Sequence, residues 1–98
     1  MLYVMLLSWK PGLGRDQMDR ALTRRSQWQY PRGVSLLGEY WLAASSPAVL
    51  SVFQASDYGP IFEISLTWGD VFDITVVPAT TPEEGLRMGA EILQRRPT

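Results

Sequence analysis

Four short apolar runs, spaced by two segments of helical periodicity, constrain this chain more than any other feature. Leu2–Ser8 is continuously apolar and is closed by the turn signal Lys10-Pro11-Gly12-Leu13-Gly14, as expected of a buried strand. From about Gly14 to Trp28, the residues Met18, Ala21, Leu22 and Arg25 recur at the three-four spacing of an amphipathic helix. Arg25 can lay its aliphatic stem over apolar surface, and Asp16 and Arg20 form a favourable pair one turn apart. Tyr30-Pro31-Arg32-Gly33 ends that helix. Gly33–Ala43 reads as a second strand, Ala44-Ser45-Ser46-Pro47 as a turn, and Ala48–Ala55 as a third strand.

Ser56 or Asp57 is expected to cap a second helix, with Pro60 in its first turn and an end near Trp68-Gly69. Its apolar residues leave it little polar surface. Val71–Val77 reads as a fourth strand, stopped by Pro78. Thr81-Pro82-Glu83-Glu84 opens a last helix, running to about Arg95, with threonine as cap and proline at the first position. Leu86, Gly89, Ala90 and Leu93 form its apolar stripe, and Gly85 and Gly89 permit close backbone approach.

The order is β-α-β-β-α-β plus a helix, which predicts an α+β, ferredoxin-like single domain spanning residues 1–98. Right-handed crossovers place both main helices on one face of a four-stranded antiparallel sheet. The second and fourth strands are then its edges.

The stretch GVSLLGEYWLA, Gly33 to Ala43, carries large apolar groups on both faces, and the other strands share this property. The more purely aliphatic sets are expected on the helix side: Leu2, Val4, Leu6; Val34, Leu36, Gly38, Tyr40; Val49, Ser51, Phe53; Phe72, Ile74, Val76. The far face then holds Tyr3, Met5, Leu7, Leu37, Trp41, Leu50, Val52 and Val77, interspersed with Glu39, Gln54, Asp73 and Thr75. Such a face exceeds the few-hundred-Å² patch usual for a monomer. A homodimer through the sheet faces is the expected cover. The rival is the last helix folding across its own sheet; the same helix can instead embrace the partner.

Composition narrows the chemistry. The chain has no cysteine, so disulfides and thiolate metal sites are excluded. It has no histidine, which removes the usual neutral-pH acid/base group and the commonest metal ligand. No metal and no cofactor are expected. The formal net charge of −1 argues against nucleic acid or an anionic membrane as a general partner. The charge is uneven: residues 1–32 carry six basic and two acidic groups, and residues 33–81 carry five acidic groups and no basic one. Arg15, Arg20, Arg24, Arg25 and Arg32 around the first helix suggest phosphate or RNA, but the third strand lacks the aromatic pattern of an RNA-binding sheet. Leu2–Trp9 is too short for a membrane span and lacks the marks of a signal peptide, so a cytoplasmic protein is expected.

PRGVSLLGEYW, Pro31 to Trp41, followed by LTWGDVFDITVVPA, Leu66 to Ala79, resembles the uncharacterised prokaryotic family called domain of unknown function 3303. Trp9, Gly33, Val34, Leu36, Leu37, Gly38, Trp68, Asp70 and Pro78 match its pattern, while Glu39-Tyr40 stands where Arg-Trp is usual. The resemblance implies a ferredoxin-like fold of the dimeric α/β-barrel type and no known activity.

No catalytic motif is present, and no catalytic residue is assigned. Glu39 and Asp73 are strand acids; in an apolar cavity such a carboxyl has a raised pKa and suits a general base. At a sheet edge, the same charges merely discourage edge pairing. Trp9, Trp41 and Tyr40 suit either an aromatic pocket or plain packing. Trp28 and Trp68 are expected to seal the core. Gly12 and Gly14 form a lone G-x-G that reads as a turn. The pocket candidates are therefore Trp9, Glu39, Trp41, Gln54 and Asp73. The leading expectation is a homodimer binding a small apolar or aromatic molecule between its sheets. The alternatives are a non-catalytic assembly module whose sheet face is consumed by packing, and weak RNA binding.

Overall fold

A computed structural model of the chain describes residues 1–97. The elements are β1 (Leu2–Trp9), α1 (Arg15–Gln27), β2 (Val34–Trp41), β3 (Val49–Ala55), α2 (Tyr58–Trp68), β4 (Phe72–Ala79) and α3 (Pro82–Arg95). The strands form one antiparallel sheet in the order β2-β3-β1-β4, so the α+β ferredoxin-like arrangement is present and β2 and β4 are its edges. β4 runs through Pro78, which pairs with Tyr3, to Ala79, two residues past the expected last residue, Val77. An edge strand accommodates proline because one side of its backbone has no ladder to complete.

The helix-side face of the sheet supplies the core. Phe53 and Ser51 of β3, Met5 and Leu7 of β1, and Phe72 of β4 are buried against Ile61, Ile64 and Trp68 of α2 and Ala21 of α1. The expected faces of β3 and β4 are therefore correct, and that of β1 is inverted. The register pairs Tyr3 with Phe53 and Leu7 with Ile74, which places Tyr3, Met5, Leu7 and Trp9 under the helices and turns Leu2, Val4 and Leu6 outward.

β2 departs from simple alternation. Leu36 pairs with Phe53 and Gly38 with Val52, so Leu37 is an extra, bulged residue. A bulge shifts the side-chain phase of everything after it. Val34 and Leu36 face the helices as expected. Beyond the bulge, Glu39 and Trp41 face the helices too, opposite Ser51 and Val49, while Gly38 and Tyr40 turn outward. Gly33, just before β2, has φ +99° and lies so close to Pro60 of α2 that a Cβ would sit 2.9 Å from its Cγ. Glycine is required there by both conformation and space.

The two ends of the helical layer differ. α2 packs down through Ile61, Ile64 and Trp68, whereas α1 buries only Ala21. α3 starts as expected, with the Glu84 N–H donating to Thr81 Oγ1 at 3.2 Å and Pro82 at its first position. It buries none of its residues, so it does not fold across its own sheet. The molecule is accordingly long, 59 × 28 × 18 Å, with a radius of gyration of 16.7 Å. A compact chain of this length has about 13 Å.

Candidate functional site

Because α1 does not close onto the sheet, a cavity of about 330 Å³ remains between them. The α1 face read from the sequence, Met18, Ala21, Leu22 and Arg25, forms its roof. Met5, Leu7, Val49 and Phe72 form the sheet side, and Ile64 and Trp68 of α2 contribute to the wall. Its exposed rim includes Leu22 and Trp41, 56% and 61% accessible.

Aromatic rings supply much of the lining. Trp9 lies on Phe72 with ring centroids 4.4 Å apart, and Trp28 meets Trp68 edge-on at 5.6 Å. Trp28 also contacts Tyr30 at 4.7 Å. Offset and edge-on arrangements of this kind favour rigid walls, since each ring fixes the next. Trp28 and Trp68, expected only to seal the core, therefore line the cavity as well.

A polar cluster stands within this apolar shell. Arg25 donates to Glu39 twice, from Nε to Oε2 at 3.2 Å and from Nη2 to Oε1 at 3.0 Å. Trp41 Nε1 donates to Oε2 at 2.7 Å, and the Tyr30 hydroxyl donates to Oε1. The buried Ser51 hydroxyl lies 3.0 Å from that of Tyr30 and supplies it with a donor in turn. Arg25 Nη1 also donates to the Trp28 carbonyl at 3.2 Å. Its guanidinium sits 5.5 Å from the Trp28 ring centroid and 5.8 Å from that of Tyr30.

This environment reverses the expectation for Glu39. Burial pushes its carboxyl up, but the hydrogen bonds from Arg25, Tyr30 and Trp41 together outweigh burial and hold it below the ordinary carboxylate value. Both oxygens are occupied by donors, so Glu39 is a fixed anion and not a raised-pKa general base. Burial first, and then the hydrogen bond to Glu39, push the Tyr30 hydroxyl well above the ordinary tyrosine value. Neither group is poised to exchange protons near neutral pH. Among the described residues, no buried side-chain nitrogen or oxygen lacks a partner.

Of the pocket candidates, Trp9, Glu39 and Trp41 come together at this cavity. Gln54 and Asp73 do not. Gln54 lies exposed on the outer face, in register with Leu2 and Ser35. Asp73 sits on edge strand β4 and pairs with Lys10 at 2.9 Å. Arg25, Tyr30 and Ser51 complete the cluster. Arg25 was visible on the helical stripe; Tyr30 and Ser51 carried no sequence signal for this role. Elsewhere, Arg24 grips Asp70 through two hydrogen bonds of 3.0 and 2.8 Å and stacks on Trp68. Two of the first helix's arginines are thus committed to carboxylates.

Among the described residues, no group of three or more acidic side chains is arranged to hold a metal ion, and no helix is long and apolar enough to cross a membrane. Comparison with curated proteins gives no match. Residues 1–93 match the family described as domain of unknown function (DUF3303), and this match covers the paired strands, both core helices and most of α3. The chain belongs to that family.

Proposed function

We propose that this protein binds a small, flat, largely apolar molecule in the cavity between α1 and the sheet. The observation that carries this reading is an aromatic-walled space of about 330 Å³ whose buried polar groups already have partners. Its size lies at the low end of the roughly 300–1,000 Å³ typical of small-molecule sites. A ligand entering it stacks on Trp and Tyr rings and displaces water from Met, Leu and Val side chains. It needs no polar group to satisfy an orphaned partner. Selection is therefore by shape and apolar area, with the Arg25–Glu39–Tyr30 cluster setting a polar boundary at one end.

The cavity is built within one chain, on the opposite side of the sheet from the face available to a second copy. Ligand binding and self-association are consequently compatible. RNA binding is the weaker alternative, since Arg24 and Arg25 are engaged in ion pairs and the net charge is −1.

Calorimetric titration with 1-naphthol, a flat apolar probe, tests the reading. One saturable site per chain is expected. Ala44→Trp places bulk at an exposed position of the cavity lining and should weaken binding more than tenfold, about 1.4 kcal/mol or more. Binding that never saturates, or that ignores this substitution, contradicts the proposal.

A further inference from the structure

Among the described residues, and beside the exposed Tyr58, Phe62 and Leu66 of α2, two apolar surfaces stand without a partner in the chain. One is the outer face of the sheet, where Leu2, Val4, Leu6, Leu50, Val52 and Val77 stand together in register. The other is the stripe of α3. Leu86, Ile92 and Leu93 are 76%, 48% and 63% accessible, and Gly89 lies between them on the same side. On the charged side of that helix, Arg87 bridges Glu84 at 2.7 Å and Glu91 at 2.9 Å.

The exposed area is large. The chain presents 7005 Å² to solvent. A compact monomer of 11.1 kDa presents about 5,700 Å², so the excess is about 1,300 Å² per chain. Burying that excess on both members of a pair gives an interface in the ~2,000–5,000 Å² range of obligate homodimers.

We propose that α3 is an arm exchanged between two copies of this chain, with its apolar stripe laid against the outer sheet face of the other copy. The dimensions fit. Fourteen helical residues span about 21 Å, and eight-residue strands span about 26 Å. The inner sheet face already carries α1 and α2, so α3 on the outer face completes a helix-sheet-helix sandwich. The link from β4 to α3 is only Thr80-Thr81, and its end is fixed by the Thr81 cap and Pro82. A short, stiff hinge of this kind favours exchange between copies over closure onto the same chain. The arrangement is isologous, because each copy gives an arm and receives one.

Sedimentation velocity at low micromolar concentration tests the exchange. The wild-type chain should sediment as a species of twice 11.1 kDa. Leu86→Lys with Leu93→Lys should sediment as a single chain with an unchanged circular dichroism spectrum, since neither residue contributes to the core. A second arm uses the absence of native cysteine. A Val52→Cys/Leu93→Cys variant treated with a short bis-maleimide should run as a covalent dimer on a denaturing gel. A wild-type monomer, a dimer that survives the lysine substitutions, a bridge within one chain, or no bridge at all would each overturn the proposal.

Discussion

Arg25 on α1 and Glu39 on β2 meet through two hydrogen bonds, 3.2 and 3.0 Å long, at the edge of an aromatic cavity. The pair joins a helix to an edge strand that otherwise leave a gap between them. Removing one member leaves the other charged and largely shielded, with Glu39 only 11% accessible at its side chain. Arg25→Met should therefore lower stability by about 2 kcal/mol, somewhat less than for a fully buried pair. Glu39→Gln keeps acceptor and donor capacity and should cost about half as much. In a urea-denaturation double-mutant cycle, the combined variant should lose clearly less than the sum of the two.

The depressed pKa of Glu39 also sets a pH dependence. The folded state prefers the carboxylate more strongly than the unfolded chain does. Its contribution is present above the unfolded carboxyl pKa, about 4.3, and is lost as pH falls through the lower folded value. Asp70 is depressed as well, by its hydrogen bonds from Arg24, and adds to the same acid window. The stability difference between wild type and Glu39→Gln isolates the Glu39 part. It should be constant from pH 7 to about 5 and shrink below that.

Tyr30 predicts the alkaline counterpart. In a spectrophotometric titration Tyr30 should ionise in a late step, above the ordinary tyrosine value. Its folded pKa is raised, so its contribution is complete below the unfolded value of about 10 and declines as pH rises beyond it. Tyr30→Phe should abolish the late step. A wild-type titration with no late step, or one unchanged in Tyr30→Phe, would contradict the Glu39–Tyr30 hydrogen bond.

Two glycines of the β2 region should respond differently to alanine. At Gly33, the positive φ and the 2.9 Å approach to Pro60 act together, and Gly33→Ala should cost about 1–2 kcal/mol. At Gly38, a Cβ would meet the far end of the Tyr40 side chain, with Oη at 2.9 Å. Tyr40 is exposed and can swing away, so Gly38→Ala should change stability by less than about 0.5 kcal/mol. Thermal or urea unfolding of the two variants checks the contrast.

The element order was legible because each strand and helix carries its own period and its own stops. The face of β4 was legible because one alternate set holds Phe72, Ile74 and Val76 and the other Asp73 and Thr75, whereas in β3 only the ring of Phe53 marks the face that it shares with Ser51. β1 offers no such contrast. Leu2, Val4 and Leu6 are as apolar as Tyr3, Met5 and Leu7, and only the register against Phe53 and Ile74 decides between them. In β2, the bulge at Leu37 moves Glu39 and Trp41 to the side opposite the one that simple alternation assigns. The residues of the site were thus partly named in advance, and their side of the sheet was not. Arg25 was readable on its helical stripe, but its partner depended on that same bulge.

The cavity beneath α1 is tested most directly by following backbone amide and indole N–H resonances while a flat apolar probe such as 1-naphthol is added. The account predicts saturable shifts at Ala21, Leu22 and the indoles of Trp9, Trp28, Trp41 and Trp68, with Gln54 and Val77 on the outer face unmoved. Resonances that stay fixed up to the probe's solubility limit, or shifts confined to the outer sheet face and α3, would contradict it.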